Sequence, residues 1–110
     1  MILPSDVEIS WEDVNAYSVR DGHGIGYIEG DGWYRYNSDD NMMRYHGFFI
    51  KKNTKFYAYF LKCENKIEAK VSIAEREKYK QYAHKILLAS QSDLAVPAAK
   101  QWCLEQIMSY

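Results

Sequence analysis

Two cysteines, Cys63 and Cys103, lie far apart in a chain of 110 residues and form no C-x-x-C pair. A structural zinc site draws four ligands from Cys and His, and a disulfide scaffold is denser, so neither is expected. Both thiols read as reduced, packed side chains. Histidine is as scarce. His23, His46 and His84 include no i, i+4 pair of the kind that holds a metal on a helix. No G-x-S-x-G elbow is present. Asp39-Asp40-Asn41 lacks the alternating spacing and distal Glu of a calcium loop and reads as a turn. The expectation is no metal, no cofactor and no catalytic residue, with a binding protein ahead of an enzyme.

Long apolar runs are missing too. None approaches the ~20 residues of a membrane span, and "MILPSDVEIS" lacks the basic start and apolar core of a signal peptide. The chain is therefore expected in the cytoplasm, with no membrane partner. Its length and its 47% hydrophobic and 26% charged content suit one globular domain spanning 1–110.

Five of the six glycines crowd into "DGHGIGYIEGDGW", residues 21–33. A phosphate cradle needs a strand before its glycines and a helix after them. Here "WYRYN" follows, which is aromatic and strand-like, and no lysine occurs before Lys51. The stretch reads as turns, with Asp31-Gly32 at a hairpin tip. His23 among the glycines reads as an exposed turn residue.

What the chain does contain is a β pattern from Gly24 to Ile73. Candidate strands cover 24–29, 33–37, 44–50, 55–62 and 66–73, separated by "EGDG", "NSDDNMM", "KKNTK" and "CENK". Ile67, Ala69, Val71 and Ile73 alternate with Glu68, Lys70 and Ser72. Connections this short join antiparallel neighbours. Ser10 with Asp13 resembles a capping box and predicts a short helix over 10–19, against a strand reading from Val7, Ile9 and Trp11. Ser72 with Glu75, followed by Tyr79, Tyr82, Ala83, Ile86 and Leu87 at helical spacing, predicts a helix over 73–90. A last helix is predicted over 94–109, with Pro97 in its first turn. The fold class is α+β: a five-stranded antiparallel meander followed by two C-terminal helices.

Tyrosine is abundant, at ten residues. In "FYAYFLKC", Phe56, Ala58 and Phe60 point one way and Tyr57, Tyr59 and Leu61 the other, so both faces are apolar. Tyr34, Tyr36, Tyr57 and Tyr59 are the expected binding set, rimmed by Arg44, Lys52 and Lys55. Tyrosine joins a large apolar area to a hydrogen-bonding tip and is enriched at protein interfaces. Another protein is the expected partner.

Charge is segregated. Residues 1–43 carry a net −7 and residues 44–110 a net +6. The halves either attract each other or display a basic face. The second reading makes the basic-aromatic region 44–85 a nucleic-acid platform, although it lacks the RNP signature. A small-molecule site between sheet and helices is a third reading. Leu104 and Met108 fall outside the apolar stripe formed by Ala95, Val96, Ala99, Trp102, Cys103 and Ile107. They read either as packing against a second helix or as a homodimer contact.

Overall fold

Tight turns set the sheet. Lys52 and Asn53 both hold positive φ, at 51° and 59°, and they join Lys51 to Thr54 as cross-strand partners. Two residues of positive φ make the turn type whose twist matches a hairpin. Glu29 to Trp33 closes a second hairpin. There the Gly32 amide donates to the Glu29 carbonyl at 3.0 Å and the Glu29 amide to the Trp33 carbonyl at 2.7 Å. Gly32 has φ +89°, and a Cβ on it would come within 2.8 Å of Ile9, so glycine is required on both counts.

The computed structural model describes residues 3–20, 26–37, 42–76, 78–88 and 92–110. Its elements are β1 (Glu8–Ile9), α1 (Trp11–Arg20), β2 (Gly26–Ile28), β3 (Trp33–Asn37), β4 (Met43–Lys51), β5 (Thr54–Lys62), β6 (Lys66–Glu75), β7 (Lys78–Leu88) and α2 (Ser92–Met108). Among the described residues, six antiparallel strands run in the order β2-β3-β4-β5-β6-β7, and β1 pairs with β4. The fold is α+β, an antiparallel meander with one helix near its start and one at its C-terminal end. No described helix is long and apolar enough to cross a membrane. His23 and the Asp39-Asp40-Asn41 cluster lie outside the described residues.

One expectation is corrected. The segment expected as a helix over 73–90 is strand: β6 runs on to Glu75 and β7 returns antiparallel beside it from Lys78. Arg76, with φ 53°, starts the reversal. The ladder slips by one residue between Val71 and Ser72, where Gln81 and Ala83 are the partners and Tyr82 is the extra residue. A bulge of this kind shifts the side-chain phase by one position. It gives the apolar residues of β7 a spacing of three and four, which mimics a helix. There is thus one C-terminal helix. It begins at Ser92, two residues earlier than expected, so Pro97 lies beyond its first turn.

The sheet has two different faces. Against α2 lie Trp33, Phe49, Phe56, Phe60, Ile67 and Val71, all fully buried, with Ala99, Cys103, Leu104 and Ile107 from the helix. Ala58 and Ala69 are small enough to let α2 approach the sheet closely. Trp33 packs on Phe49 and Phe60, with ring centroids 5.5 and 5.2 Å apart. Burying each large apolar side chain is worth about 1.5–3 kcal/mol over leaving it exposed, so this face is the main source of stability. Two lysines tie α2 down. Lys51 of β4 donates to the Met108 carbonyl, placing a cation at a helix C-terminus whose last turn has none of its own. Lys100 of α2 pairs with Glu29 and with Asp31, the latter at 2.9 Å.

Both N-terminal readings are met in part, since Glu8–Ile9 is a strand and the helix follows at once. Ser10 ends the strand and leads into the helix: its amide donates to the Phe48 carbonyl at 2.9 Å, its carbonyl accepts the first helical bond from Val14 at 3.1 Å, and its hydroxyl donates to Asp13. α1 then crosses the face of the sheet opposite α2, over β2, β3 and β4.

Candidate functional site

The face beneath α1 carries the tyrosines. The register aligns Tyr34, His46, Tyr59, Lys70 and His84 across five strands, and beside them Tyr36, Arg44, Leu61, Glu68 and Ile86. Directly opposed residues of an antiparallel sheet share a face, so each row is a real neighbourhood.

Covering divides this face. Tyr17 of α1 lies over Tyr34, His46, Phe48 and Tyr57, with ring centroids 4.5–6.3 Å away. Tyr34, His46 and Phe48 are consequently buried. His46 is held from both sides, by the Tyr17 hydroxyl at Nε2, 3.3 Å away, and by the Tyr57 hydroxyl at Nδ1. Loss of water around the imidazole, helped by the nearby Arg44 charge, pulls its pKa down to about 3. Burial also raises the Tyr57 phenol well above its ordinary range, reinforced by Tyr17. The ring is neutral at physiological pH and both its nitrogens are engaged. It therefore offers no nitrogen to a ligand arriving from solvent, and its role is to lock α1 onto the sheet.

Past Tyr57 the face opens. Tyr36, Tyr59, Leu61, Glu68, Lys70 and Ser72 are half-buried, and Gln81 and His84 are exposed. Tyr79, Ile86 and Leu88 are exposed by 58%, 50% and 90%. Their partners in β6 are Ala74, Glu68 and Lys66, which places all three on this same face. Glu68 bridges Lys70 at 3.6 Å and His84 at 3.1 Å, and these two bases hold its carboxyl below the usual range, His84 foremost.

The expected binding set is therefore divided. Tyr34 is buried under α1, whereas Tyr36, Tyr57 and Tyr59 are half-buried, with the Tyr57 hydroxyl also bonded to His46. Among the rim cations, Lys52 is exposed at the β4–β5 turn and Arg44 is half-buried. Lys55 turns to α1, where it meets Asp13 at 2.6 Å. Sequence reasoning missed Tyr79, Ile86 and Leu88 as surface residues, because read as a helix they fall on or beside its packing stripe.

The dimer expectation is corrected at one residue. Leu104 is 2% exposed and belongs to the core of the single chain, so it has no surface to offer a second copy. The cause is that α2 packs directly on the broad sheet, with no second helix beside it among the described residues. Met108 is exposed.

The segregated charges also find their partners. Lys51 meets Asp6 at 3.8 Å, Lys55 meets Asp13, and Lys100 meets Glu29 and Asp31. Each of these pairs joins the acidic first 43 residues to the basic remainder. Among the described residues, no group of three His, Cys, Asp or Glu side chains is placed to hold a metal ion. Comparison with protein-family models, curated proteins and solved structures finds no match to this chain.

Proposed function

We propose that this chain is a protein-binding domain that engages its partner through the part of the sheet face that α1 leaves open. One observation carries the reading: the register gathers three exposed apolar side chains of β7, Tyr79, Ile86 and Leu88, on the face that also presents Tyr59 and Leu61. Scattered exposed apolar residues are ordinary, but several sharing one open face mark an interaction surface. Glu68, Lys70 and His84 among them supply polar contacts that fix orientation. Within the basic-aromatic region 44–85, Lys51 and Lys55 are occupied by acids of the same chain, which leaves fewer of its bases for a nucleic acid.

The test is a paired capture from native lysate. It compares the parent chain with a Tyr79→Ser, Ile86→Ser double variant, with and without nuclease. Both positions are exposed, so the variant keeps its fold, which a melting curve verifies. Proteins retained by the parent, lost from the variant and indifferent to nuclease are the expected result. An identical set on both chains would overturn the reading.

A further inference from the structure

β7 ends the sheet, and among the described residues no strand pairs with its outer edge. An unpaired edge of eleven residues is a template for another strand. Its two sides differ in character. Tyr79, Ile86 and Leu88 lie on the open face, whereas Lys78, Lys80 and Lys85 lie on the α2 side, since their partners in β6 are Glu75, Ile73 and Ala69. β7 contains no acidic residue. Lys78 has Glu75 across the ladder, but Lys80 and Lys85 face apolar partners there. Both are exposed, so an acid arriving on the outer side can complement their charge.

From this arrangement, and resting on the protein-binding reading above, we infer that the partner adds an extended segment to the edge of β7, with Asp or Glu alternating with large apolar residues. Alternate side chains of an added strand point to opposite faces. Its acids then meet Lys80 and Lys85 while its apolar residues lie alongside Tyr79 at one end and Ile86 and Leu88 at the other. A strand in the plane of the sheet reaches both rows at once. Along β7 itself the lysines lie on the face opposite Tyr79, Ile86 and Leu88, away from the aromatic surface on which bases would stack. A second copy of β7 carries the same three lysines and no acid, so it offers no complement to their charge.

The probe is a terminally blocked peptide of alternating Glu and Val, matched in length to β7, titrated into the full chain and followed by backbone NMR and amide hydrogen exchange. The expected result is binding confined to β7, with slowed exchange at its outward amides and at least about tenfold preference over an alternating Lys and Val peptide. A Lys80→Glu, Lys85→Glu double variant reverses that preference. N-methylation at alternate peptide residues removes ladder donors without touching side chains and abolishes binding.

Equal affinity for the two peptides, or unchanged exchange at β7, overturns strand addition. So does a preference for oligouridine over the Glu-Val peptide, or a doubled mass in light scattering with β7 amides already protected. If the peptide fails while the Tyr79→Ser, Ile86→Ser variant still loses a captured protein, strand addition falls and the open-face reading stands. If the captured set is also unchanged, both fall.

Discussion

His46 on β4 and Tyr17 on α1 meet across the helix–sheet boundary, with the Tyr17 hydroxyl 3.3 Å from Nε2 and the rings 4.5 Å apart. This contact makes the attachment of α1 sensitive to acid. The folded chain holds the imidazole neutral down to about pH 3, whereas the group ordinarily titrates at 6.5. Between those values the unfolded chain binds a proton that the folded chain refuses. Stability is therefore complete above pH 6.5 and falls as pH drops toward 3, with a slope of up to about 1.4 kcal/mol per pH unit from this group. Urea unfolding of the parent and of His46→Gln at pH 7.0, 6.0 and 5.0 checks this. The parent should lose stability over that range faster than the variant, and parallel curves would refute the assignment.

Lys100 is a second point of attachment. Its side chain is 10% exposed, and the Glu29 and Asp31 carboxylates it joins are 21% and 19% exposed. Lys100→Met leaves Asp31 without its cation and Glu29 with Arg35 alone, at an expected cost of about 1–3 kcal/mol. Adding Glu29→Gln and Asp31→Asn to that variant should restore part of the loss, because the two partly buried carboxylates are then neutral, while the more exposed Arg35 gives up its bridge to Glu29. Chemical denaturation of the single and triple variants measures the difference. A triple variant less stable than the single one would contradict the pairing.

How far the sequence foretells such features depends on whether they are local. The strict alternation of Ile67, Ala69, Val71 and Ile73 foretells β6 and its apolar face, because a half-covered strand has period two. Ser10 and Asp13 foretell the start of α1, since a cap is a contact within one turn. The opposite charges of the two halves foretell their mutual pairing. β7 is misread because the bulge at Tyr82 breaks its period, and because an edge strand that is largely exposed need not keep one face apolar. Tyr34 and Tyr57 are visible as a strand-face pattern, but the burial of Tyr34 and the contact of Tyr57 with Tyr17 are decided by where α1 docks. That docking depends on residues distant in sequence, so no local pattern announces it. Leu104 follows the same rule: its burial is set by the breadth of the sheet under α2.

Gly47 is expected to resist substitution. It lies in the middle of β4, and a Cβ there would stand 2.7 Å from the edge of the Phe49 ring and 3.2 Å from the Trp33 indole. Both rings are fully buried, so neither has room to move away. Gly47→Ala should cost about 1–3 kcal/mol through overpacking, despite the better strand propensity of alanine. The urea midpoint should fall with the denaturant slope unchanged. A midpoint equal to that of the parent would show that the two rings repack without strain.

Leu104 and Met108 separate core packing from self-association by experiment. Leu104 is 2% exposed and Met108 is 42% exposed, although they sit one helical turn apart. Leu104→Ala opens a cavity between α2 and the sheet, and the expected cost is about 2–5 kcal/mol. Met108→Ala removes an exposed side chain and should change stability by no more than about 0.5 kcal/mol. Because Leu104 packs within one chain, its substitution should lower the melting temperature equally at low and high protein concentration. Stability that depends on subunit contacts instead rises with concentration by mass action. Melting each variant across a wide range of protein concentration decides the matter. A concentration dependence present in the parent and lost in Leu104→Ala would return this residue to an interface between copies.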